Sequence, residues 1–224
     1  MNSLKTPITL PPYTRKEEIC NMVTHIVGGA LGILALIFCV IRSTLAGSLT
    51  SVISSAVYGS SIILLFTMSS IYHGLVPIKA KKVFRVIDHC TIYLLIAGTY
   101  TPIVLVSLRE VAPMKAWILF FVVWISAVVA IVLTAVDMHK FRVFSMIAYL
   151  AMGWCVLFCL KETILAVGEE GMWLIFIGGV LYTIGAVIYM IGKRNNVPYV
   201  HSVFHLFVLF ACILHFFAIF FFVL

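Results

Sequence analysis

The chain has 224 residues, of which 63% are hydrophobic and only 10% are charged. A soluble domain is roughly half apolar and a quarter charged, so this composition excludes an ordinary soluble enzyme and a disordered polar protein. Lys and Arg outnumber Asp and Glu, and the formal net charge is +7. In so apolar a chain, an excess of basic residues first suggests that they lie on one side of a membrane.

Seven apolar stretches follow one another along the chain. Each has about the 20 residues that a helix needs to cross the hydrocarbon core, and none alternates in polarity as a barrel strand does. We therefore predict an all-α integral membrane protein, a seven-transmembrane helix bundle. It consists of a short polar cytoplasmic tail, residues 1–18, and a single membrane domain, residues 19–224. The predicted spans are residues 19–41, 49–76, 87–108, 116–136, 143–160, 172–192 and 199–224.

The distribution of basic residues predicts the orientation of this bundle. Most of them lie in the tail and in the second, fourth and sixth connections, which all face the same side. Cytoplasmic connections are enriched in Lys and Arg, so the N-terminus is predicted to be cytoplasmic and the C-terminus outside. The net charge therefore reflects topology, and we expect no nucleic-acid partner. The residues on the predicted cytoplasmic side are Lys5, Arg15, Lys16, Lys79, Lys81, Lys82, Arg85, Lys140, Arg142, Lys193 and Arg194.

The first two spans carry polar residues near their predicted cytoplasmic ends. Glu18, Asn21 and His25 are spaced i, i+3 and i+7, which places them on one face of the first helix. The second span runs back towards the cytoplasm and ends with Ser69 and His73 one turn apart. Titratable groups inside membrane spans are costly, and they mark function by default.

The third and sixth spans add a second polar pair and a packing signal. Asp88 and His89 open the third span at the same predicted depth, and Pro102 is expected to kink that helix further along. Small residues at a regular spacing let two membrane helices approach closely, so we predict a helix–helix seam on the sixth span. Its glycines recur every seven residues: Gly171, Gly178, Gly185 and Gly192.

The seventh span begins with His201 and His205, which are one helical turn apart on the same face. With His73 at matching depth, three imidazoles converge, and three histidines with one open position are typical of a catalytic zinc site. Ser69 faces the same cavity. Asp88 is expected to bind the water at the metal or to orient a ligand histidine. For His25 and His89, a site role and a merely hydrogen-bonded structural role both stay open; for His139 and His215 we favour the structural role.

These residues also occur in runs that resemble the hemolysin III family. That family is the bacterial branch of the progestin and adiponectin receptor group, with alkaline ceramidases as more distant relatives. The resemblance covers nearly the whole chain and rests on the combination of four motifs. They are Glu18-x-x-Asn21-x-x-x-His25-x-x-Gly28, Ser69-Ser70-x-Tyr72-His73, Asp88-His89 followed by Gly98-Thr99-Tyr100-Thr101-Pro102, and His201-Ser202-x-Phe204-His205.

The resemblance implies a seven-helix bundle with zinc held near the cytoplasmic face by His73, His201 and His205, with Asp88 and Ser69 completing the site. We expect a multi-pass protein of the plasma (cytoplasmic) membrane whose partners are membrane lipids. The leading hypothesis is a zinc-dependent hydrolase of lipid amide or ester bonds. The alternatives are a non-enzymatic regulator of membrane homeostasis or energetics with structural zinc, a cytolytic pore, and a proton channel or transporter.

Overall fold

The computed structural model describes residues 8–224, and every regular element among them is helical. Six helical stretches of this part of the chain are long and apolar enough to cross a membrane, as expected of an integral membrane bundle. Lys5 and the start of the predicted tail lie outside the described residues. The helices are α1 (Arg15–Leu45), α2 (Leu49–Gly74), α3 (Ile78–Pro102), α4 (Pro113–Val136), α5 (Arg142–Gly153), α6 (Leu160–Arg194) and α7 (Val200–Phe222).

Helix α1 begins at Arg15, before the apolar stretch from which the first span was predicted. The reason is a capping box: the Thr14 hydroxyl accepts a hydrogen bond from the Glu17 backbone N–H, and the Glu17 carboxylate accepts one from the Thr14 backbone N–H. This reciprocal pair satisfies two N–H groups that a helix start otherwise leaves unbonded. As a result, Glu18 lies in the first turn of α1, not in a flexible tail.

Pro102 ends the regular part of α3. Proline has no backbone N–H and its ring crowds the preceding turn, so the regular hydrogen-bond ladder cannot continue through it. The chain widens into a π-helix over Ile103–Leu108 and finishes with one short turn, Arg109–Val111. We predicted a kink at Pro102, and at this proline the structure changes from an α-helix to a π-helix.

The segment from Arg142 to Arg194 is not one straight helix. A short 3-10 helix, Cys155–Cys159, separates α5 from α6, and α6 itself is interrupted at Gly168, where φ is 73° and ψ is 168°. The Trp154 indole N–H donates to the Thr183 hydroxyl at 3.1 Å. In a continuous helix these two residues would stand roughly 40 Å apart. The chain therefore reverses at Gly168, which as a glycine adopts a positive φ without steric cost.

The glycine stripe of α6 faces α7 along its whole length. A β-carbon added at any of the four positions would collide with a side chain of α7, so the two backbones are close enough to exclude larger residues. The predicted seam is confirmed, and it sets α6 antiparallel to α7. The contacts are Gly171 with Phe222, Gly178 with His215, Gly185 with Phe207 and Gly192 with Val200.

The antiparallel packing gathers the polar residues at one end of the bundle. Helix α1 packs against α2 and α7, and α2 packs against α3. The starts of α1, α3 and α7 therefore meet the end of α2, and this region is called the histidine end below. It is the end at which the sequence placed its candidate site.

Candidate metal centre

Three histidines from two helices converge at the histidine end. His73 is in the last turn of α2, and His201 and His205 are in the first two turns of α7. One ligand nitrogen from each lies within 4.8 Å of the other two, and the Nε2 atoms of His201 and His205 are 3.1 Å apart. Nitrogens that bind one tetrahedral zinc ion at 2.0–2.1 Å stand about 3.3 Å apart. The pair from His201 and His205 is close to this spacing, and a nitrogen of His73 lies within 4.8 Å of both.

The ring of His73 is oriented by a carboxylate. Its Nδ1–H donates to Glu18 Oε2 at 2.6 Å, and the rest of the Glu18 carboxylate binds Lys81 Nζ at 2.9 Å. Because the proton of the neutral ring is held on Nδ1, Nε2 presents a lone pair. That Nε2 atom is buried and has no hydrogen-bond partner in the described part of the chain. A carboxylate on the second nitrogen is the usual support of a metal-binding histidine.

His205 is oriented in a similar way by a threonine. The Thr24 hydroxyl donates its only proton to the Asn21 carbonyl at 2.9 Å, so it must accept from His205 Nδ1–H, which lies 3.2 Å away. The lone pair of His205 is then on Nε2, the atom that approaches His201. In His73 and His205 the ring proton is therefore on Nδ1, and this leaves the Nε2 lone pair available to bind a metal ion.

Asn21 and His25, which share a face of α1 with Glu18, contact residues of α7 at the metal centre. The Ser202 hydroxyl donates to Asn21 Oδ1 at 2.6 Å and ties α7 to α1. The His25 ring lies against His205 with a centroid distance of 3.6 Å and meets Phe66 edge-on at 5.0 Å. His25 is not one of the three residues whose nitrogens converge. It therefore packs on a ligand ring without joining the set.

The two residues predicted to act in catalysis are both buried near the ends of α2 and α3 that form the histidine end. Ser69 lies one turn before His73 and is 1% exposed, and its hydroxyl has no hydrogen-bond partner among the described residues. Asp88 is 8% exposed, and one of its carboxylate oxygens is 3.6 Å from His89 Nδ1. The His89 Nδ1–H donates to the Arg85 carbonyl at 2.9 Å. Within residues 8–224, Asp88 makes no hydrogen bond to the three histidines, so it is Glu18 that orients a ligand ring.

Comparison with known proteins assigns the chain to a family. A family model described as Haemolysin-III related matches residues 13–216. The chain belongs to the haemolysin III family. It is 37% identical over 209 residues to Hemolysin-3 of Bacillus cereus, which covers 93% of each chain. It is 36% identical over 197 residues to the Hemolysin-3 homolog of Bacillus subtilis (strain 168), which covers 88% of this chain and 90% of that protein.

More distant relatives extend beyond bacteria. The human Monocyte to macrophage differentiation factor is 27% identical over 213 residues, which are 91% of this chain and 83% of the human one. No solved structure matches the chain significantly. The resemblance to the haemolysin III family that the four motifs indicated is confirmed.

Two residues of this haemolysin III family centre could not be identified from the sequence. The sequence placed Lys81 only among the basic residues of the predicted cytoplasmic side, whereas its ammonium group binds Glu18 and the Tyr72, His73 and Leu75 carbonyls at the end of α2. Helix ends leave such carbonyls unbonded, and a lysine satisfies them. Thr24 carried no signal at all, because a threonine in a span is common and its role depends on the ring beside it.

Replacing Glu18 with glutamine is expected to lower zinc affinity about 10- to 100-fold, the usual cost of losing the partner of a ligand histidine. The amide can still accept a hydrogen bond from His73 Nδ1, but it lacks the charge that makes the ring a stronger donor to the metal. Competition with a chelator of known affinity measures the change. Glu110→Gln is the matched control, because this carboxylate is 73% exposed and pairs with Arg109 away from the three histidines, and the variant should leave affinity unaltered. Equal loss in both variants would contradict a specific role for Glu18.

Proposed function

We propose that this haemolysin III family protein is a zinc-dependent hydrolase of amide or ester bonds in membrane lipids, embedded in the plasma membrane as seven transmembrane helices. The observation that carries the proposal is the convergence of three imidazole nitrogens, one of them on a ring anchored by a partly buried carboxylate, at the end of an apolar bundle. Groups of this kind are costly in a membrane and are retained for chemistry or for a bound ion.

Seven crossings and a cytoplasmic N-terminus are part of this proposal. The reversal at Gly168 supports them, since it divides residues 142–194 into two antiparallel arms that are each long enough to span the bilayer. The basic residues support the orientation, because they cluster at the histidine end and in the connections on that side. The metal centre would then lie near the cytoplasmic face, and Leu224 would lie outside.

Zinc is the metal we expect for an all-imidazole set in which one nitrogen pair already has tetrahedral spacing. His73, His201 and His205 would hold it through their Nε2 atoms. Bound zinc supplies Lewis acidity, which polarises a carbonyl group and makes a water molecule more acidic. Three protein ligands leave one position open, as in catalytic sites.

Ser69 and Asp88 have the chemistry that acyl hydrolysis requires. The buried Ser69 hydroxyl has no hydrogen-bond partner within residues 8–224, so it can donate a hydrogen bond to the carbonyl oxygen as negative charge develops there. The Asp88 carboxylate would accept a proton from the attacking water or hold that water in position. An acyl chain would enter from the bilayer between the helices.

The experiment is a hydrolysis assay on purified protein in vesicles that contain ceramide or an acyl ester lipid. We expect release of fatty acid that stops when a chelator removes the metal and resumes when zinc is added back. A protein that binds zinc and releases no fatty acid from any lipid would contradict the hydrolase.

A regulator with structural zinc is the second candidate, and one observation favours it. Asp88, the proposed proton acceptor, lies 3.6 Å from His89 Nδ1 and makes no hydrogen bond to the three histidines within residues 8–224, while these histidines join α2 to α7. This candidate predicts that zinc raises the unfolding temperature while no lipid is hydrolysed.

Cytolysis makes a different prediction, since vesicles containing the protein would then leak an entrapped dye.

A further inference from the structure

The segment that precedes α1 crosses the mouth of the histidine end. We call residues 8–14 the strap. The Tyr13 ring stacks on the His201 ring, with centroids 5.3 Å apart and planes 15° from parallel, and it stands 6.1 Å from the His73 ring. Two of the three converging histidines are therefore covered by one aromatic side chain from outside the helices.

The far end of the strap is fastened at Thr9. The Arg85 guanidinium donates a hydrogen bond to the Thr9 carbonyl, and the Thr9 N–H donates to His139 Nε2 at 3.2 Å. Arg85 is only 7% exposed, and no carboxylate lies within 4.0 Å of its guanidinium among the described residues. A hydrogen bond from a charged donor is stronger than one from a neutral donor, so this contact is the main fastening of the strap.

The near end of the strap is fixed by α1. Glu17 Oε1 accepts a hydrogen bond from the Tyr199 backbone N–H at 2.9 Å, which joins the start of α1 to the start of α7. Between the two attachments, Pro11 and Pro12 restrict the backbone, since each proline fixes φ and limits the residue before it. The strap is thus a short, stiff segment held at both ends, which can open only if Thr9 is released.

We propose that the strap controls exchange between the three-histidine centre and the aqueous phase, and that the Arg85–Thr9 contact is its latch. The inference rests on the proposed metal site but not on lipid hydrolysis. Small polar species, the metal ion first, reach the rings of His73 and His201 from this end only when Tyr13 moves away. Apolar substrates that arrive from the bilayer do not need to pass the strap.

The first measurement is the rate at which zinc-loaded protein in detergent releases its metal to excess EDTA. Arg85→Met is expected to speed release about 10- to 100-fold, because a charged hydrogen bond no longer holds the strap closed. The amount of zinc bound before chelation should not change. Lys79→Met is the matched control, since Lys79 is an exposed basic residue on the same helix, and it should release zinc at the original rate. Unchanged release in Arg85→Met would overturn the proposal.

The second measurement needs no metal. Diethyl pyrocarbonate modifies accessible imidazoles, and mass spectrometry reports its rate at each histidine of the apo protein. In Arg85→Met, and in His139→Ala as a second latch variant, His201 should react about tenfold faster, while His215 at the far end of α7 reacts at its original rate. Equal rates at His201 in all variants would contradict the proposal that the strap controls exchange. Failure of the original protein to bind zinc would contradict only the proposed metal centre.

Discussion

Replacing His205 with alanine is expected to lower zinc affinity several hundredfold, enough to leave the purified protein nearly free of metal. A structural zinc site supplies about 10–16 kcal/mol from about four ligands, so each ligand contributes roughly 3–4 kcal/mol. His205 is 2% exposed, and its Nε2 lone pair is directed to the centre by the Thr24 hydroxyl. Elemental analysis of protein purified with and without added zinc, followed by chelator competition, measures the loss.

The control for this variant is on the same helix. His215 is also partly buried, but its Nε2–H donates to the Ile175 carbonyl at 3.1 Å and the residue is far from the three converging nitrogens. His215→Ala should therefore keep its zinc while losing some stability. Full zinc content in His205→Ala would contradict the proposed metal centre, and with it the proposed hydrolase.

Replacing Asp88 with asparagine is expected to slow fatty acid release about 10²- to 10⁴-fold while the metal stays bound. Asparagine has nearly the same shape and can still position a water molecule, but it cannot accept a proton. The test compares initial rates and zinc content for the two proteins on the same lipid. A pure loss of rate would place Asp88 in the reaction, since within residues 8–224 its carboxylate makes no hydrogen bond to the three histidines proposed to hold the metal.

Glu110→Gln is the control for the loss of a carboxylate. Its side chain is 73% exposed at the opposite end of the bundle, where it pairs with Arg109 at 3.4 Å, and the variant should hydrolyse lipid at the original rate. If Asp88→Asn loses zinc as well as activity, the carboxylate has a role in holding the centre. If its rate is unchanged, the proton acceptor is another group.

The sequence was sufficient for the membrane class and for the end of the bundle at which the three histidines converge. Span length follows from bilayer thickness, and the direction of successive spans follows from their order, so His73, His201 and His205 could be assigned to one end from the sequence alone. The packing face of α6 could also be predicted from the sequence, because a seven-residue spacing keeps its glycines on one face of the helix.

The partners of the site residues could not be predicted in the same way. Depth is a property of position along a helix, but contact also depends on how each helix is rotated about its axis, and packing decides that rotation. The sequence therefore offered Asp88 as the residue that orients a ligand histidine, whereas the packing of α1 on α2 brings Glu18 to His73. From the sequence, Lys81 was only one of the basic residues of the predicted cytoplasmic side, but its long side chain reaches back to α2.

The strap shows the same limit most clearly. Residues 8–14 have no apolar periodicity, and the sequence predicted them only as part of a short polar tail. Its course is decided by contacts with residues far along the chain, Arg85, His139 and His201. By itself the sequence determined which residues are apolar enough to enter the bilayer and which titratable groups share a depth. Only the tertiary structure decided which of them touch, because side-chain contacts depend on helix rotation and loop course, to which hydrophobic patterning is insensitive.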